Sequence, residues 1–212
     1  MSAKARRNVL VLMERLRGMS DADFLESLIA YHAAPTLLGI KPATLICPRA
    51  TGRDLGRALK NSAPCLVRSF GVQVAALRNR VGALLILIYN PGLLDGALAR
   101  TEVRELLAET GYDVAEADVA ALLAQLGEKC RGNEFPHEIG VFLGYPPEDV
   151  RCFMERRGRG CCAAGCWKSY GDPEGAKTCS ARFRRAKSRA AELIVGGADL
   201  GGVVAGLRES AA

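Results

Sequence analysis

The chain has 212 residues, of which 49% are hydrophobic and 25% charged, a balance that excludes a disordered polar chain and suits one folded domain. Its longest apolar run, Val81 to Tyr89, falls far short of the roughly 20 residues needed to cross a bilayer, and Glu14, Arg15 and Arg17 sit directly behind the short N-terminal apolar stretch, unlike a cleaved leader; the reading is a cytoplasmic protein with no membrane partner. The net charge of +6 is uneven, because Arg151 to Arg189 holds eleven Lys or Arg against three Asp or Glu, and such a basic third suits an anionic partner: nucleic acid, a phosphate-bearing cofactor or an acidic protein.

In chain order, Ser20 with Asp23 three residues on is an N-cap signal, and Phe24, Leu25, Leu28 and Ile29 follow at helical spacing. A helix is expected from Asp21 to Ala33, ended by Pro35, with His32 on or beside its buried stripe. Thr36 to Cys47 reads as a loop entering a short strand near Thr44, and Lys41, its only charge, either snorkels outward or binds an anion. Arg53 to Lys60 reads as a short helix. Gly71 to Leu77 and Val81 to Tyr89, separated by Arg78-Asn79-Arg80, are a hairpin signal whose second strand is apolar enough to be central in a sheet.

Asn90-Pro91-Gly92 is a turn cluster, and amphipathic helices follow at Thr101 to Thr110 and Glu116 to Cys130. Phe135 to Val150 has a helix start at Pro136, a stop at Gly144 and a second start at Pro147, which gives two short helices around a Gly-Tyr-Pro corner. Gly158 to Tyr170 is a Cys- and Gly-rich turn with a short strand, and Glu174 to Leu193 a basic helix. Residues 196 to 212 read as a Gly-rich tail after a domain spanning 1 to 195. The fold class is α+β, with a small, mainly antiparallel sheet packed with several helices in a single domain.

His137-Glu138 begins HEIGVF, which lacks the second histidine of a metalloprotease helix. With two histidines in the chain, His32 and His137 are candidates to converge with Glu138 for proton transfer or metal ligation; the alternative is a His137 that packs locally. Eight cysteines in a reducing compartment read as free thiols rather than bridges. Cys161, Cys162, Cys166 and Cys179 are gathered closely enough to offer four thiolates to zinc or an iron–sulfur cluster, although no paired C-x-x-C knuckles are present. Arg156, Arg157 and Arg159 nearby favour thiolate.

Trp167 and Tyr170, flanking Lys168, have the composition to stack on a flavin or haem while the lysine meets a phosphate or propionate; packing is the alternative. Ile139, Leu143 and Val150 also match a helix-turn-helix core, with Lys177 to Arg189 on phosphate. Against nucleic acid, Glu148 and Asp149 open the would-be recognition helix and repel phosphates.

The runs YHAAPTLLGIKPATL (31–45), PHEIGVFLGYP (136–146) followed by EDV (148–150), and WKSYGD (167–172) resemble the bacterial family catalogued as domain of unknown function 3793, found largely in anaerobes. The resemblance implies a shortlist of positions, His32, Pro35, Lys41, His137, Glu138, Gly144, Tyr145, Trp167, Lys168 and Tyr170, without implying a reaction. Relatives often carry cysteine where this chain has Ala33, which weakens a Cys–His scheme on that helix. The resemblance also implies neighbourhood with flavodoxin or iron-uptake functions.

The combined reading is a redox- or metal-associated accessory protein or enzyme that binds a small anionic ligand where the His32 helix, Lys41 and the His137-Glu138 corner meet. Tyr145, Trp167, Lys168 and Tyr170 join Lys41 as ligand-binding positions. An acidic redox partner such as a flavodoxin, docked on the basic helix, and a DNA-binding regulator are the alternatives.

Overall fold

The structure is a computed structural model that describes residues 3–48, 52–78 and 83–210, apart from the side chain of Cys65. The expected hairpin turn around Asn79-Arg80 lies outside the described residues. Helix α1 spans Ala3–Arg15 and, after a 3-10 turn at Leu16–Gly18, α2 spans Asp21–His32. As the capping signal implies, the Ser20 hydroxyl accepts from the Asp23 backbone N–H. A single helical turn, α3 (Ala34–Leu37), precedes strand β1 (Ala43–Ile46) where a loop was the expectation, with Pro35 opening the turn. The buried hydroxyls of Thr36 and Thr44 bond each other at 2.9 Å and tie the two together.

Helix α4 covers Leu55–Phe70, running through Pro64 well beyond the expected end at Lys60, and closes on left-handed Gly71. Strands β2 (Gln73–Arg78) and β3 (Leu84–Tyr89) pair antiparallel, and β3 also pairs antiparallel with β1, so the sheet order is β1-β3-β2. Asn90-Pro91-Gly92 is a helix start rather than a turn cluster: the Asn90 side chain accepts from Leu93 N–H and Pro91 opens α5 (Pro91–Leu98). Asn followed by Pro satisfies the N-cap and first-turn preferences as fully as it satisfies a turn.

Helices α6 (Thr101–Glu109) and α7 (Val119–Cys130) lie close to their expected spans. Next come the one-turn α8 (Ile139–Phe142), α9 (Pro147–Glu155), the two-residue strands β4 (Ala163–Ala164) and β5 (Lys168–Ser169), α10 (Pro173–Val195) and α11 (Leu200–Glu209). The architecture is α+β, a small antiparallel sheet among many helices.

The sheet lies between two helical layers. Ile46, Ile86 and Ile88 join the apolar cluster of α1, α2, α4, α10 and α11, whereas Leu77, Leu85, Leu87 and Tyr89 join that of α5 to α9. Alternate residues of β3 therefore serve opposite cores, which explains why an uninterrupted apolar run was needed there. The Gly-rich segment read as a tail is part of the first core: Val203, Val204 and Leu207 of α11 are buried. Asp199 caps the helix by accepting from Gly202 N–H, and Gly206 lies against Leu193 where a Cβ would fall within 2.9 Å of its Cδ2. Here glycine permits close helix packing against α10 rather than disorder.

Among the described residues no helix is long and apolar enough to cross a membrane.

Candidate functional site

The α8–α9 corner and the β4–β5 hairpin enclose a cavity of about 390 Å³, lined among others by His137, Tyr145, Phe153, Cys166, Trp167 and Lys168. The corner turns on Gly144, whose φ of +78° favours glycine and where a Cβ would fall 2.5 Å from Pro42 Cγ. That turn directs Tyr145 toward the hairpin, where its ring stacks on Trp167 with centroids 5.1 Å apart and its hydroxyl donates to the Cys166 carbonyl. His137 packs edge-on against Phe153 at 5.0 Å. The walls are aromatic and mostly apolar, with His137 and Lys168 exposed at the edge.

Asp149 holds the hairpin in place. Its buried carboxylate accepts from Trp167 Nε1 and Tyr170 N at 2.7 Å each, from Gly171 N at 3.3 Å and from the Ser169 hydroxyl at 3.4 Å. A carboxylate that accepts several donors is stable in a buried site. The side chain read as a repulsive charge at a DNA reader is thus an internal anchor. The first helix of the corner, α8, is a single turn.

Lys41 neither snorkels nor forms an ion pair among the described residues. It is 8% exposed, with Nζ 5.2 Å from the Tyr145 ring centroid and 5.6 Å from that of Phe183. Burial first, and then Lys187 of α10, lower its pKa to about 8, opposed by the thiols of Cys166 and Cys179. Burial and the same Lys187 bring His32 down to about 4, so its imidazole is neutral near pH 7. Sequence reasoning missed Lys187, since it lies within an ordinary charge run.

The residues expected to form one composite site are partly brought together and partly kept apart. Lys41, Tyr145, Trp167, His137 and Lys168 are contiguous through Tyr145 and the cavity, but the histidines do not converge. His32 lines a separate cavity with Phe24, Leu28 and Cys47, and Tyr31 packs edge-on against it. Glu138 is buried in the second core, where burial first and then Glu138 raise the pKa of Tyr112 well above the usual phenol range. Neighbours in sequence, His137 and Glu138 point to different surroundings.

The four cysteines also divide. Cys166 and Cys179 both act on Lys41, and burial followed by Cys166 raises the Cys179 pKa instead of favouring thiolate. Cys162 donates its thiol to the Tyr170 carbonyl at the far end of the hairpin. Arg156 spends its charge over the Tyr170 ring, 5.4 Å from the centroid. Among the described residues no group of three or more His, Cys, Asp or Glu side chains is placed to hold a metal ion, so the expected four-thiolate set is not formed.

Tyr170 takes no part in the cavity wall; its hydroxyl is buried without a hydrogen-bond partner among the described residues. Lys168 reaches the Gly158 carbonyl at 2.6 Å while its ammonium lies 5.7 Å from the Phe153 centroid.

Fold and site together define a layered α+β domain with one aromatic-walled cavity beside a buried lysine. The family described as protein of unknown function, DUF3793, matches residues 29–204, and the chain belongs to it. The matched span takes in the cavity, Lys41 and Lys187. No curated protein and no solved structure matches the chain.

Proposed function

We propose that this protein binds a small, flat, anionic heteroaromatic molecule of the flavin mononucleotide class in the aromatic cavity, as a redox-associated accessory protein. The stacked Tyr145–Trp167 pair carries the reading, because two stacked rings, Trp167 held by the buried Asp149 carboxylate and Tyr145 by the Cys166 carbonyl, make an ordered aromatic wall. A volume of about 390 Å³ lies in the range of small-molecule sites. His137 and Lys168 at the edge suit the acidic end of such a ligand. Calorimetric titration with flavin mononucleotide tests the reading, with riboflavin as the neutral comparison. Saturable binding is expected that is weaker for riboflavin, weaker again in Lys168→Met, and lost in Trp167→Leu. Failure of wild-type protein to bind, or full binding by the Trp167 variant, overturns it.

A second reading rests on α10, along which Arg182, Arg184 and Arg185 are exposed. These charges suit docking of an acidic redox protein such as a flavodoxin. Its sign is a pull-down that weakens steeply with salt and on charge reversal of Arg184 and Arg185.

A further inference from the structure

A second cavity, of about 310 Å³, lies on the Lys41 side of Tyr145 and is lined by Lys41, Pro42, Arg100, Val141 and Tyr145 among others. Lys41 is one of its lining residues and shares Tyr145 with it, and its amine has an unusual setting. The residue is more than nine-tenths buried, no hydrogen bond or ion pair engages it among the described residues, and the charged group that acts on it most strongly is another cation, Lys187. Its other neighbours are the rings of Tyr145 and Phe183 and the thiols of Cys166 and Cys179.

Burying an ammonium without a counter-ion is unfavourable, and a facing lysine adds to the penalty. Two states relieve it: loss of the proton, or arrival of an anion. A neutral lysine amine in an apolar pocket beside a second cation is an activated nucleophile toward carbonyl carbon. Arg100 supplies the other half of the recognition. Its guanidinium is more than half exposed and holds Glu102 only at 3.7 Å, so it is available to a carboxylate entering the same cavity.

We propose that Lys41 is a Schiff-base lysine that condenses with the carbonyl of a small oxo acid whose carboxylate pairs with Arg100. The Nζ lone pair adds to the carbonyl carbon and the C=O π bond passes its electrons to oxygen. A proton moves from nitrogen to that oxygen, giving a neutral carbinolamine. Protonated once more, the oxygen leaves as water while nitrogen forms the C=N bond and then releases its remaining proton. Amine and carbonyl thus give imine and water, with no oxidant or reductant consumed. The pKa of about 8 at Lys41 is consistent with this chemistry, since a useful fraction of the amine is free near neutral pH. The inference concerns a different cavity from that of the proposed flavin-class ligand and stands independently of it.

The test is reductive trapping on the full chain, with glyoxylate as the probe and cyanoborohydride as the reductant, read by intact mass and peptide mapping. One adduct per chain is expected, on Lys41, forming at least about tenfold faster than on exposed lysines. Arg100→Gln should slow trapping of glyoxylate while leaving that of acetaldehyde unchanged. Lys187→Met should slow both at pH 7.5, because Lys41 then holds its proton to higher pH. Labelling spread over exposed lysines such as Lys60 and Lys177, with Lys41 unmodified in folded wild-type protein, overturns the proposal and leaves Lys41 a structural cation. Equal loss of both probes' trapping in Arg100→Gln overturns the oxo-acid assignment.

Discussion

The indole N–H of Trp167 and the carboxylate of Asp149 meet at 2.7 Å across the floor of the α9–hairpin junction. Because Tyr170 N and Gly171 N share the same carboxylate, Asp149→Ala leaves several donors unpaired at once. A loss of about 3 kcal/mol in unfolding free energy is expected. Trp167, the sole tryptophan, should shift its emission to longer wavelength as the hairpin loosens. Urea titration followed by fluorescence measures both, and an unchanged midpoint would show that the hairpin is held by other contacts.

Gly144→Ala combines a left-handed backbone with a Cβ driven into Pro42. The expected destabilisation is about 2–4 kcal/mol. The same substitution at Gly39, where φ is +68° but no atom lies within 4 Å of the added Cβ, should cost about 1–2 kcal/mol. The difference between the two midpoints separates backbone strain from collision.

Lys41→Met should stabilise the protein near pH 7. The native amine has a pKa of about 8, below its ordinary value of 10.5, so between these limits the unfolded chain holds the proton more tightly and wild-type stability rises with pH. Below about pH 8 the full penalty of the buried ammonium applies, roughly 2–3 kcal/mol. The variant's advantage at pH 7 should therefore shrink by pH 10, as judged by urea unfolding at the two pH values.

His32 acts in a lower window. Its native pKa of about 4 lies below the ordinary 6.5, so stability is intact above pH 6.5 and declines as pH falls toward 4, by roughly 2–3 kcal/mol from this group. His32→Gln should lose that share of the acid sensitivity. Parallel unfolding curves for both proteins from pH 7 to pH 4 would contradict the assignment.

Removal of residues 199–212 takes Leu200, Val203, Val204 and Leu207 out of the first core. Each fully buried side chain of this kind contributes roughly 1.5–3 kcal/mol. Loss of a cooperative thermal transition is expected; a truncated chain that melts like the full protein would make α11 an ornament of the fold.

What could be read from residues alone was whatever depends on local pattern. The Ser20 cap, the amphipathic spacing of α6 and α7 and the apolar run of β3 all encode their outcome within a few positions. Asn90-Pro91 misled because one dipeptide serves both a turn and a helix start, and only the packing of the following Leu94 and Leu98 decides between them. Residues 196 to 212 misled because glycine is counted against a helix by propensity, while Gly206 is needed for contact with Leu193.

The site divides in the same way. Tyr145, Trp167, Lys168 and His137 line one cavity. Glu138 and Tyr170 do not, because adjacent or nearby positions on a turn or strand point to different surroundings. The roles of Asp149 and Lys187 depend on partners about twenty to well over a hundred positions away, a separation that no spacing rule reaches.

Strand β3 has a consequence for how the molecule opens. Leu85 and Leu87 are locked in one core and Ile86 and Ile88 in the other, and β2 pairs with the strand along its whole length while β1 pairs with Ile86 to Tyr89. Neither helical layer can peel away without wetting one side of that strand. Its amide protons should therefore exchange with deuterium only when the entire domain unfolds, and the two layers should report a single opening free energy.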